Sequence, residues 1–311
     1  MKIAVIDCGT NTFNLLIRNQ ESGQLIHNSK ISVRLGEGGN HETHIGEAAF
    51  QRGLQALESH LATARSEGAE AIYAVATAAI RSAENGPEFV QSAAETGVRI
   101  NVIDGLQEAS LIYEGVKRGI KFQDAPTLIM DIGGGSTEFI LRRKGVVDYK
   151  ASFPIGSSRL LEKFRPADPI LSEQIEEVTD YLEEELSELI EACKSEWPRV
   201  LIGSSGSFDT LAAMCAENFK TSRFEEDETS YTFDMFEYMQ IARQMLQSNF
   251  EERLATPGMI PMRADMIVMA CIQINFVITR LGIKMLQQCN YALKEGFFFT
   301  LNENPEAWQK S

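Results

Sequence analysis

Three consecutive glycines sit between two short apolar runs in Asp131-Ile-Gly-Gly-Gly-Ser-Thr-Glu138, and few architectures have a use for such a segment. Each glycine weakens a strand, so the run is not there for strand propensity. It lets the backbone approach an anion and turn its N–H groups inward as a nest. Gly133, Gly134 and Gly135 are therefore candidate phosphate-binding residues, with Ser136 and Thr137 as hydroxyl donors. Asp131 closes the strand before the turn and Glu138 opens the strand after it. Two carboxylates bracketing an anion site suit a hard divalent cation bridging protein and phosphate oxygens. A plain glycine-rich hairpin is the alternative.

The same pattern occurs earlier in the chain. Asp7-Cys-Gly-Thr-Asn-Thr12 follows the apolar run Ile3–Ile6 and leads into Phe13–Arg18. Asp7 aligns with Asp131, Gly9 with Gly133 and Arg18 with Arg142, each 124 residues apart. The constant offset points to a duplication, so the expected fold is α/β, with two related lobes facing each other across a central cleft. Thr10 and Asn11 become phosphate-binding candidates and Asp7 a third metal-ligand candidate. Neither turn is a P-loop or a dinucleotide fingerprint, because the triple glycine leads into a strand where those motifs lead into a helix. A third turn, Gly203-Ser-Ser-Gly-Ser207, does enter a helix near Phe208 and offers N-terminal donors to an anion through Gly206 and Ser207. A tight structural turn is its alternative.

Hydrophobic periodicity fills in the rest. A third strand is expected around Ile31–Leu35, helices over 47–67 and 107–118, and strands at Ala71–Thr77 and Arg99–Ile103. Asn85-Gly86-Pro87 opens a further helix. Residues 172 to 191 predict one amphipathic helix, its glutamates forming a solvated face. Arg81 ends an alanine-rich strand-to-loop segment, where a guanidinium suits bidentate phosphate contact. The apolar run Met266–Ile278 is too short to span a bilayer and contains Gln273 and Asn275, so a buried helix is expected. The opening Met-Lys-Ile-Ala-Val-Ile-Asp reads as a strand rather than a signal peptide. With five scattered cysteines and no C-x-x-C pair, this predicts a cytoplasmic protein with reduced thiols and no membrane partner. His41 and His44 could begin a zinc site, but no second ligand pair follows. A net charge of −15 argues against nucleic acid as a partner. It also means that a polyanionic substrate must be held by backbone N–H groups, a cation and a few local arginines.

Together these segments resemble the exopolyphosphatase and guanosine pentaphosphate phosphohydrolase family, within the ribonuclease-H-like superfamily of actin, sugar kinases and heat-shock ATPases. The resemblance covers nearly the whole chain. It rests on the two glycine turns, Val75-Ala-Thr-Ala-Ala-Ile-Arg81, Gln107-Glu-Ala-Ser-Leu-Ile-Tyr-Glu-Gly115, Gly203–Ser207, Arg263-Ala-Asp265 and Leu293-Lys-Glu-Gly296. It implies a first lobe over 1–122, joined by a C-terminal helix 292–311, and a second over 123–291. It also implies a magnesium-dependent hydrolase and a homodimer. The implied reaction releases terminal phosphate from polyphosphate, or alternatively from guanosine pentaphosphate. A non-catalytic regulator that binds either is the remaining alternative. By the same resemblance Glu108 is the general base; on residue grounds alone it could equally be a first-turn acid complementing a helix dipole. Gln107 stands where the family usually has a second acid.

Overall fold

The computed structural model describes residues 1–37, 44–220, 229–308 and 310–311. His41 falls outside these, so the histidine pair of the possible zinc site is not described together. The chain divides into two compact units, Met1–Gly115 with Ala292–Ser311, and Val116–Tyr291.

The first unit opens with an antiparallel meander, β1 (Lys2–Cys8), β2 (Thr12–Asn19) and β3 (Leu25–Ser32). Helix α1 (Glu47–Ser66), β4 (Ala71–Ala76), α2 (Ala78–Ser82), α3 (Gly86–Glu95), β5 (Ile100–Val102) and α4 (Gly105–Gly119) follow. The sheet order is β3-β2-β1-β4-β5, with β4 and β5 parallel to β1. Side chains alternate across the sheet. Ala4, Ile6 and Cys8 therefore join Phe13, Leu15 and Ile17 in a core closed by Leu57 and Leu61 of α1 and Phe89 of α3. The C-terminal helix α12 (Leu293–Glu303) packs on β1 and β2, and its Phe297 meets Tyr73 of β4 edge to face. Residues facing the way of Ile3 and Val5, Asp7 among them, lie on that opposite side.

The second unit repeats the plan with β6 (Thr127–Ile132), β7 (Thr137–Arg143) and β8 (Val146–Phe153), followed by α5 (Ser157–Phe164), α6 (Ser172–Glu185) and α7 (Ser187–Cys193). Then come β9 (Val200–Ser204), α8 (Gly206–Phe219), β10 (Ser230–Thr232), α9 (Met235–Gln247), α10 (Phe250–Ala255), α11 (Ile267–Leu281) and β11 (Met285–Cys289). Its sheet runs β8-β7-β6-β9-β11, with β10 added at the β11 edge. Both sheets thus have a meander followed by two parallel strands, which is the expected ribonuclease-H-like order. The duplication extends to register. Asp7 pairs with Asn14 and Asp131 with Glu138, positions 124 apart on both strands. The bulges fall between Ile17 and Arg18 and between Leu141 and Arg142, again 124 apart.

Two expectations are corrected. The third strand ends at Ser32; Val33 and Leu35 gave it an apolar alternation, but they are buried in a turn tied to the first glycine loop. The acidic helix is two helices, because Leu186 leaves helical geometry at φ −92°, ψ 12°. The apolar run is the core helix α11, buried along most of its length. Among the described residues no helix is long and apolar enough to cross a membrane. All five cysteines are free and buried.

Candidate functional site

The second glycine turn is held by α5. Ser157 N–H donates to the Gly133 carbonyl at 3.0 Å, Ser158 and Arg159 N–H donate to that of Gly134 at 3.0 and 3.1 Å, and the Arg159 Nε donates to that of Gly135 at 3.0 Å. In a trans peptide the C=O and the next N–H point in opposite directions. Tying three successive carbonyls to α5 therefore aims the N–H groups of Gly134, Gly135 and Ser136 the other way, as an anion nest requires. Gly133 N–H closes the turn onto the Ser136 carbonyl at 3.0 Å. Gly156 is required here, because a Cβ would collide with the Gly134 carbonyl and the Ser136 nitrogen. The Thr137 hydroxyl turns inward and donates to Gln273 Oε1 at 3.0 Å, so its side chain serves the core.

Asp131 and Glu138 are paired across β6 and β7, on the face opposite Met130 and Phe139, which belong to the core. Both are buried, 5% and 1% exposed, so their charges need donors. Ser204 and Ser205 each donate a hydroxyl to Asp131, at 2.6 and 2.7 Å. Ser152 of β8 donates to Glu138 at 2.7 Å. Ser205 reaches Asp131 at a conformational cost: φ 73°, ψ 173° is backbone that essentially only glycine adopts freely.

The third turn enters α8, whose first residues are Gly206 and the buried Ser207. The guanidinium of Arg263 lies directly against Gly206, where a side chain would otherwise stand. Burial pushes this guanidinium down from its ordinary value, opposed by Asp209, Asp265 and Asp131. Protein charges therefore already gather at this helix N-terminus.

In the first unit, Gly9 N–H donates to the Thr12 carbonyl at 3.1 Å, as Gly133 does to Ser136. The Thr10 and Asn11 carbonyls accept from Leu35, Val33 and Arg34 N–H. Asp7 accepts from Asn14 Nδ2 at 3.0 Å. Burial, then the neighbouring Asp7, pushes the Cys8 thiol well up, which favours its protonated form.

Glu108 lies in the first turn of α4, 7% exposed. Asp104 caps that turn, its Oδ1 accepting from Leu106 and Gln107 N–H at 2.9 and 2.8 Å, while Gln107 Oε1 accepts from Asp104 N–H at 3.0 Å. This is a capping box, a job that glutamine and glutamate both perform, and it gives the Gln107 departure a structural reason. Arg81 belongs to the short helix α2 rather than a strand end, and it is paired with Glu108: Nη1 donates to Glu108 Oε2 at 2.9 Å and to the Ile103 carbonyl at 2.8 Å.

Asp131 and Glu138, with the hydroxyls of Ser152, Ser204 and Ser205 beside them, offer oxygen ligands, and this fits a hard cation such as magnesium. Among the described residues no three His, Cys, Asp or Glu side chains gather into a ready metal cage; magnesium commonly keeps waters and substrate oxygens as its remaining ligands. Sequence reasoning missed Ser152, Gly156, Arg159, Ser204, Ser205 and Arg263 as partners of these turns. Ser204, Ser205 and Arg263 lie in two segments the sequence did single out, Gly203–Ser207 and Arg263-Ala-Asp265, but nothing local ties them to Asp131 or Gly206.

Comparison with known proteins finds relatives over nearly the whole chain. An exopolyphosphatase structure from Cytophaga hutchinsonii is 36% identical, with 97% of this chain and 98% of that one covered at a TM-score of 0.93. Exopolyphosphatase 2 of Mycobacterium tuberculosis is 28% identical over 96% of this chain and 98% of its own length. A family member from Aquifex aeolicus, 24% identical with 98% and 99% of the two chains covered, shares the fold at a TM-score of 0.79. The model of the Ppx/GppA phosphatase family matches residues 16–304, and the chain belongs to that family.

Proposed function

We propose that the protein is an exopolyphosphatase, releasing terminal orthophosphate from inorganic polyphosphate. The observation that carries this reading is the second glycine turn, whose carbonyls are consumed by α5 so that three successive N–H groups remain for an anion. Hydrolysis of a phosphoanhydride depends chiefly on positioning and charge stabilisation. The Gly134, Gly135 and Ser136 amides would hold phosphate oxygens, with Thr10 and Asn11 as their counterparts in the first unit. Glu108 takes a proton from a water molecule whose oxygen bonds to the terminal phosphorus. The bridging oxygen then leaves with the shortened chain. Asp131 and Glu138 would hold magnesium. Bound there, the ion supplies neutralisation of charge on the phosphate oxygens. The curated relative and the Cytophaga structure, both named exopolyphosphatases, favour polyphosphate over guanosine pentaphosphate. Reduced cysteines accord with a cytoplasmic setting, and a homodimer is the expected assembly.

General-base assistance is typically worth about 10²–10⁴-fold in rate. Glu108→Gln should lower turnover by that order and leave the affinity for a non-hydrolysable polyphosphate analogue unchanged. Loss of affinity with turnover intact would show Glu108 to be a binding group instead.

A further inference from the structure

We infer that Arg81 is a positioning residue for Glu108, acting on the reaction through the carboxylate; this rests on Glu108 being the base. One guanidinium nitrogen carries two N–H groups, and Arg81 Nη1 uses both within the protein, on the Ile103 carbonyl at 2.8 Å and Glu108 Oε2 at 2.9 Å. Ile103 directly follows β5, is 1% exposed and donates its N–H to the Ala76 carbonyl of β4 at 3.1 Å, so one contact fixes the guanidinium to backbone anchored on the sheet. The other fixes the carboxylate to the guanidinium. The Glu108 backbone is held independently, since its N–H donates to the Asp104 carbonyl at 2.9 Å and Asp104 caps the same turn. The cap therefore sets where the residue starts, and Arg81 sets where its carboxylate ends. The side chains are only 24% and 9% exposed, so this pair differs from a solvent-screened surface bridge. Removing the arginine would take away the cation paired with this buried carboxylate and loosen the geometry in which it meets a water.

A misplacement of about 1 Å in a reacting group can cost on the order of 10²-fold in rate. Arg81→Ala should therefore lower kcat by roughly that factor with KM unchanged, and millimolar guanidinium ion should restore part of it. The decisive test is a double-mutant cycle on orthophosphate release, because residues acting as one unit are non-additive. In the Glu108→Gln background Arg81→Ala should bring no further loss of kcat. If the two losses multiply, or if the Arg81→Ala effect lies in KM, the arginine acts on substrate and the inference is overturned. Glu108→Gln turning over at the wild-type rate would instead remove the base assignment itself, a separately readable failure. Arg81→Lys keeps the charge without the planar fork. It carries the same cycle if the alanine variant does not fold, and its loss should be smaller than that of Arg81→Gln.

Discussion

At the scale of single residues, the site depends on groups whose chemistry is visible only once their partners are known. Asp131 is conspicuous in sequence because it flanks a triple glycine. Nothing local says that Ser204 and Ser205, more than seventy positions away, donate to both of its oxygens. Ser205 makes the point testable. Its hydroxyl serves Asp131 from a backbone conformation that costs a non-glycine residue about 1–3 kcal/mol. Both Ser205→Ala and Ser205→Gly lose the hydroxyl, but only glycine sheds the strain, at a cost of about 0.5–1 kcal/mol in unfolded-chain entropy. The glycine variant should therefore melt at a higher temperature than the alanine variant. Equal melting temperatures, or a more stable alanine variant, would mean that Ser205 is not strained. Arg81 shows the same limit of sequence reading. An arginine after an alanine-rich segment suggests a phosphate ligand, and only the fold reveals that Glu108 and Ile103 occupy its Nη1.

At the scale of elements, what was legible was what depends on neighbours in sequence. The helices 47–67 and 107–118 are found at Glu47–Ser66 and Gly105–Gly119, because their apolar stripes and flanking glycines are local signals. The third strand slipped toward Leu35 because a buried turn and a half-buried edge strand share the same alternation. Helix α5 was not foreseen, although its N-terminus holds the second glycine turn, since no short-range pattern ties Ser157 to Gly133. The α4 cap gives a prediction at this scale. Asp104→Ala removes the acceptor of two N–H groups and should cost about 0.5–2 kcal/mol. Gln107→Glu retains the reciprocal acceptor and should be close to neutral. Chemical denaturation of the two variants checks this, and a Gln107→Glu loss as large as that of Asp104→Ala would refute the capping role.

At the scale of the whole molecule, the duplication organises the account. A shared offset of 124 was visible in Asp7, Gly9 and Arg18 because hairpins are contiguous. It recurs in strand register, in the two bulges and in the turn-closing bonds of Gly9 and Gly133. The copies have diverged in chemistry: Asp131 faces a glutamate across its hairpin, whereas Asp7 faces Asn14. A chain of net charge −15 gains no bulk attraction for a polyanion, so under the proposed function affinity would have to come from locally aimed amides, arginines and a cation. The most direct measurement is orthophosphate release by the purified protein, with and without magnesium, from polyphosphates of defined length, guanosine pentaphosphate and ATP. The account predicts magnesium-dependent release from polyphosphate, one terminal residue at a time, faster than from either nucleotide. Absence of release from every polyphosphate length in the presence of magnesium would contradict it.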